Sequence, residues 1–138
     1  MTRREAREAI LKILYEYDVG GKDVEDIIKN YNFENQEEYV INTLRGTMEN
    51  LMTIDEIIED YSLGWKLERM ARVDLAILRF SLYEIIYQKD IPFNVTINEA
   101  IELAKKYSTE ESPSFINGIL GRYVEENCKE ESKTDLDN

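Results

Sequence analysis

The segment "VDLAILRFSLYEIIY", residues 73–87, constrains the fold more than any other stretch of this chain. As a helix it carries apolar residues on nearly every side, and a helix without a polar face has to be covered by neighbours. It does not cross a bilayer, because its longest unbroken apolar run is only Leu75-Ala76-Ile77-Leu78. The rest of the sequence must therefore supply the covering helices. Apolar residues recur at helical spacing in almost every segment, and no stretch sustains the alternation of a strand. The expected fold is all-α, a single compact domain of about seven helices, at roughly 3–18, 24–31, 36–61, 65–70, 72–88, 97–107 and 113–127. With 138 residues, 43% of them apolar, the chain is long enough to bury a core of this kind.

Local signals place the ends. Thr2 with Glu5 and Thr96 with Glu99 have the spacing of a capping box, and Asn35 with Glu38 repeats it more weakly. Gly20-Gly21 ends the first helix. Thr53 with Glu56 is a possible restart, but the apolar phase Leu44, Met48, Leu51, Ile54, Ile58, Tyr61 runs through it, so one helix is expected over 36–61. Ser112 reads as a cap and Pro113 as a first-turn residue. Behind them Ser114, Gly118 and Gly121 line one side of the helix, with Asn117 at the edge. Such a stripe lets a neighbour come close, either another helix or a ligand. In the central helix Asp74, Arg79 and Glu84 interrupt the apolar surface. Each is an internal ion-pair partner or part of a contact surface, and Asp74 near the helix start also suits the helix dipole. Residues 129–138 have no apolar period and are expected to be a disordered acidic tail on a domain of residues 1–128.

Composition removes several functional classes. One Cys and no His exclude an intramolecular disulfide, a structural zinc site and a His-based triad. No Gly-rich loop follows a strand, so no cofactor is expected, and the charged start "MTRREAREAI" lacks the apolar region of a signal peptide. A cytoplasmic, non-enzymatic protein is the expectation. The net charge of −12 is unevenly spread. Residues 1–12 hold four basic groups against two acidic ones, while residues 13–60 hold three against thirteen. On the first helix Ala6, Ile10, Ile13, Leu14 and Tyr17 form a core stripe, and Arg4, Arg7, Leu11 and Tyr15 form a second stripe beside it. Basic groups beside an aromatic ring suit single-stranded RNA, since guanidinium pairs with phosphate and a ring stacks on a base. A packed Tyr with solvated Arg around it is the structural alternative.

Four stretches, "RREAREAILKILYEYD", "WKLERMARVDLAILRFSLYEIIY", "DIPFNVTINEAIELAKKYS" and "SPSFINGIL", resemble the NusB family of bacterial transcription antitermination proteins in order and over about residues 3 to 124. The resemblance implies two packed three-helix units. It also implies binding of the boxA element of ribosomal RNA leaders together with the ribosomal protein NusE, in a complex with elongating RNA polymerase and other Nus factors. By position it assigns Arg3, Arg4, Arg7 and Tyr15 to RNA, with Glu111 and Phe115 bordering the same groove, and Asp74 to the protein partner. Two positions depart from the pattern: Glu5 stands where some relatives have a third consecutive Arg, and Glu111 where some have Asp. The first implies weaker RNA affinity for the protein alone and greater dependence on its partner. The acidic flank suits a basic ribosomal protein. A helical adaptor that binds such a protein without touching RNA is the alternative. NusB-like modules also occur fused to RNA methyltransferases, but this chain has no catalytic half. Monomer and homodimer both stay open.

Overall fold

The computed structural model describes residues 1–128, so the expected acidic tail, 129–138, lies outside the described residues. Among the described residues there are seven α-helices: α1 (Arg3–Gly20), α2 (Val24–Ile28), α3 (Glu37–Glu49), α4 (Leu51–Tyr61), α5 (Arg72–Tyr87), α6 (Phe93–Tyr107) and α7 (Ser112–Asn127). Single 3₁₀ turns at Glu34–Gln36 and Leu67–Arg69 join α2 to α3 and α4 to α5. Among the described residues there is no strand.

Helices α1, α2 and α3 form one unit, and α5, α6 and α7 pack against one another in a second, which α4 joins through α5 and α7. Helix α5 is the shared element. It touches α1, α3, α4, α6 and α7, as its apolar circumference requires. Leu75, Ile77, Leu78, Phe80 and Leu82 are fully buried around it, with Ile10, Ile13 and Leu14 of α1 and Ile116, Ile119 and Leu120 of α7 in the same core.

The approach of α3 to α5 depends on Gly46. A Cβ added there would lie 2.1 Å from the Tyr83 ring, so that ring occupies the space a side chain would need. Tyr83 in turn stacks on Tyr87 with centroids 5.2 Å apart.

Several local expectations need correction, among them the weaker capping box at Asn35 and Glu38, since α3 starts after Gln36 with no side-chain cap. The helix expected over 36–61 is two helices, α3 and α4, divided at Asn50. Its backbone (φ −109°, ψ 18°) leaves the helical region, and its side-chain amide donates to the Gly46 carbonyl at 2.8 Å. The helix expected over 65–70 is only a 3₁₀ turn, pinned by Arg72 Nη2, which donates to the carbonyls of Leu67 and Met70 at 2.5 and 3.2 Å. Helix α6 starts at Phe93, directly after Pro92, so Thr96 lies inside it and caps nothing. Ser112 is likewise inside α7, where its hydroxyl is used by Asp74. The capping box at Thr2 and Glu5 forms as expected: Glu5 N donates to Thr2 Oγ1 at 3.1 Å and Thr2 N to Glu5 Oε1 at 2.8 Å.

Candidate nucleic-acid interface

The two stripes of α1 do not divide as a helical wheel suggests. Arg7 is only 3% exposed, and Leu11 is buried beside it. The Arg7 guanidinium donates from Nη2 and Nε to the two oxygens of Glu84, at 2.8 and 3.1 Å. The same carboxylate accepts the Tyr39 hydroxyl at 2.5 Å and the Thr96 hydroxyl at 3.1 Å. A buried charge is tolerable only when paired and fully hydrogen-bonded, and Glu84 meets both conditions with partners from α1, α3 and α6. Burial pulls the Arg7 pKa down, but the bonds and charge of Glu84 outweigh it and hold the group above its ordinary value. Burial and the Glu84 charge together push the Tyr39 phenol far up. The expectation that Arg7 lies off the core is therefore overturned. Arg79 is also an internal partner: it grips Asp55 with two bonds of 2.9 Å and lies 3.9 Å from Asp18.

The other basic groups of α1 remain accessible. Arg3 lies with its guanidinium carbon 3.9 Å from the centroid of the Tyr39 ring and donates to Gln36 at 2.8 Å. Arg4 makes a bidentate pair with Glu99, both bonds 2.9 Å, and its side chain is 62% exposed. The hydrogen bonds from Arg4 lower the Glu99 pKa below the usual carboxylate value. An ion pair this exposed is worth little, so a phosphate can compete for Arg4. Tyr15 is 40% exposed. One turn before it Lys12 sits over the Tyr107 ring, 5.7 Å from the centroid, and Tyr107 donates to Glu8 alongside Lys106.

The residue after Tyr107 leads to the second group of candidates. Ser108 Oγ donates to Asp74 Oδ1 at 2.5 Å, and Ser112 Oγ to Asp74 Oδ2 at 2.9 Å. Asp74 is buried and ties the start of α5 to the loop between α6 and α7. A cavity of about 220 Å³ opens here, lined by Asp74, Glu111 and Phe115 together with Trp65, Arg69 and Met70. The structure thus brings Asp74 into one site with Glu111 and Phe115, instead of setting it on a separate surface. Sequence reasoning passed over Trp65, Lys66 and Arg69. The available signal was the chain's one Trp followed closely by two basic residues, just after a glycine.

A model described as the NusB family matches residues 4–125. The chain belongs to the NusB family. The transcription antitermination protein NusB of Thermoanaerobacter sp. (strain X514) is 50% identical over 138 residues, covering 97% of this chain and 98% of that one. NusB of Alkaliphilus oremlandii is 50% identical over 131 residues, covering 91% and 95%. Among solved structures, T. maritima NusB superposes with a TM-score of 0.81 at 40% identity, covering 91% of this chain and 92% of that one. A structure of antitermination factors NusB and NusE in complex with dsRNA matches with a TM-score of 0.77 at 25% identity, covering 87% and 93%. The NusB match spans both helical units, so the Arg4–Tyr15 surface and the Asp74 cavity both fall inside it. Among the described residues no helix is long and apolar enough to cross a membrane, and no group of three or more His, Cys, Asp or Glu could hold a metal ion.

Proposed function

We propose that this protein is a transcription antitermination factor that binds the boxA element of ribosomal RNA leader transcripts together with the ribosomal protein NusE. In that complex it joins elongating RNA polymerase and other Nus factors in the cytoplasm and lets transcription continue through terminators. The match to NusB antitermination proteins along nearly the whole chain carries this reading. It acts by binding alone, and none of its parts is assigned a catalytic step.

The chemistry of the surface supports single-stranded RNA as the ligand. Arg3 and Arg4 present cations at one end of α1, and Tyr15 and Lys12 continue along it. Contacts through Tyr107 and Ser108 lead on to the cavity of Glu111 and Phe115. Cations interleaved with rings hold phosphates and stack bases without needing a duplex. Asp74, being buried, supports a partner surface by holding the α6–α7 loop in place.

The test is direct binding of a boxA-containing RNA to the purified protein, with and without the ribosomal protein. Binding strengthened by the partner, and weakened by Tyr15→Ala without loss of fold, is the expected result. Capture of the ribosomal protein with no gain in RNA affinity would instead make this an acidic protein-binding adaptor.

A further inference from the structure

Glu8 and Glu99 each hold a cation that faces solvent. Glu99 of α6 takes Arg4 of α1 through two bonds of 2.9 Å, and Glu8 of α1 takes Lys106 of α6 at 2.8 Å. The two pairs cross between the helices in opposite senses, and in both the carboxylate is the fixed half. The Glu99 and Glu8 side chains are 19% and 17% exposed, whereas those of Arg4 and Lys106 are 62% and 61% exposed. Glu8 also accepts the Tyr107 hydroxyl, which anchors it further. Hydrogen bonds from Lys106 and Tyr107 hold the Glu8 pKa below its ordinary value, as those from Arg4 do for Glu99. Both groups therefore stay charged near neutrality. Around Arg4 stand Glu99, Glu102 and Glu8, and around Glu8 stand Lys106 and Lys12, so carboxylates of the protein itself neutralise the cations of this face. Arg4, Glu8, Lys12 and Tyr15 follow one another at helical spacing along α1, which sets both pairs on the surface read above as facing RNA.

We propose that Glu8 and Glu99 are internal substitutes for RNA phosphates and restrain RNA binding. They occupy Lys106 and Arg4 in the free protein, and a bound strand has to displace both. Carboxylate and phosphate accept from a guanidinium in the same two-bond geometry. Arg4 therefore passes from one to the other by a swing of its exposed arm, while Glu99 stays on α6. Lys106 gains a phosphate of its own by the same exchange, on a helix that the basic start of α1 does not include. Each exchange gives up one ion pair for another and leaves a released carboxylate close to the strand. These cations thus add less affinity than free ones would, and contacts elsewhere have to supply the difference. The inference rests on the RNA-binding reading above and adds to it the two groups that oppose binding.

The experiment titrates the full chain with a labelled single-stranded RNA carrying boxA, comparing wild type with Glu99→Gln, Glu8→Gln and the double variant. Gln keeps the shape of the side chain and removes its charge. Melting curves establish that each variant is folded. Each single change should tighten RNA binding about 1.5- to 5-fold, the equilibrium factor of one exposed ion pair. A carboxylate that only braced the helices would give the opposite sign. The gain from Glu99→Gln should be lost in an Arg4→Ala background, and that from Glu8→Gln in a Lys106→Met background, because each carboxylate acts through its cation. A gain of equal size in those backgrounds would be a general charge effect and would overturn the proposal. Unchanged or weaker binding by the folded Gln variants, with wild type still binding RNA, would overturn it as well and leave the RNA reading standing. If wild type binds no RNA even with the ribosomal protein present, both readings fall.

Discussion

Arg7 and Glu84 face each other inside the bundle, 77 residues apart in sequence, and close a two-bond ion pair at 2.8 and 3.1 Å. That pair separates the arginines of α1 into two kinds. Arg7→Ala leaves a carboxylate buried with its cation removed, which costs about 3–5 kcal/mol. Arg4→Ala touches only an exposed pair and should change stability by less than about 0.5 kcal/mol. Chemical denaturation and RNA titration of both variants provide the check. Arg7→Ala should lower the unfolding midpoint sharply, while Arg4→Ala keeps the midpoint and flattens the salt dependence of RNA binding. Equal stability of the two would show that the Arg7 pair carries no weight in the fold.

Acid should expose the Arg4–Glu99 pair. Hydrogen bonds from Arg4, and then its charge, hold the Glu99 pKa below 4.5, the ordinary value. A carboxylate whose folded pKa is depressed adds stability above its ordinary pKa and loses it as pH falls through the lower, folded value. Any stability difference between wild type and Arg4→Ala should therefore be present near neutrality and shrink as pH drops below 4.5. Urea midpoints of both proteins across that range measure it. A gap that persists at the acid end would mean that Arg4 acts through something other than Glu99.

Asp74→Ala removes the shared acceptor of Ser108 and Ser112. The two hydroxyls keep only their bonds to each other and to Thr109, and losing the buried acceptor that anchors the α6–α7 loop should cost about 1–3 kcal/mol. Because the loop carries Glu111 and leads to Phe115, RNA and ribosomal-protein affinities should both fall. Asp74→Asn, which keeps one acceptor oxygen, should recover part of the stability. A variant that folds as well as wild type and loses only the protein partner would instead make Asp74 a direct contact.

The glycines of α3 and α7 should answer differently to Ala. At Gly46 the new Cβ would collide with the Tyr83 ring, so Gly46→Ala should destabilise by about 1–3 kcal/mol. In a Tyr83→Ala background the same change should become neutral or stabilising. At Gly118 the nearest neighbour of a Cβ is the Arg122 guanidinium, 3.1 Å away, which donates to the Tyr61 carbonyl at 2.6 and 3.1 Å. The close neighbour expected there as another backbone or a ligand is thus a side chain of the same helix, laid across Gly118 to reach the end of α4. Gly118→Ala should fall within about 1 kcal/mol of wild type, helix propensity offsetting a displaced Arg122. Gly121, with open space around it, should gain about 0.5–1 kcal/mol as Ala. Melting curves of the three variants decide the order.

What the sequence determined by itself was the all-helical class and which helix sits in the middle. Apolar periodicity is a local property, and the unbroken apolar surface of residues 73–87 already required a helix covered by others, as α5 is by five neighbours. Family resemblance, carried by long contiguous motifs, was legible for the same reason. The tertiary structure alone decided the use of the polar groups. The apolar phase through Leu44, Leu51 and Ile58 passes across Asn50 undisturbed, so nothing in it marks the Gly46 carbonyl to which the Asn50 side chain also donates. Thr96 and Ser112 look like caps because caps are local, yet their hydroxyls serve Glu84 and Asp74 on another helix. Arg7 looks solvated because a helical wheel ranks a residue by its own polarity, while burial of a charge depends on a partner brought from elsewhere in the chain. Trp65 and Arg69 share a cavity with Glu111 and Phe115 only because α7 packs beside the turn after α4. Periodicity places a residue on a face; what stands opposite that face is set by packing between segments distant in sequence.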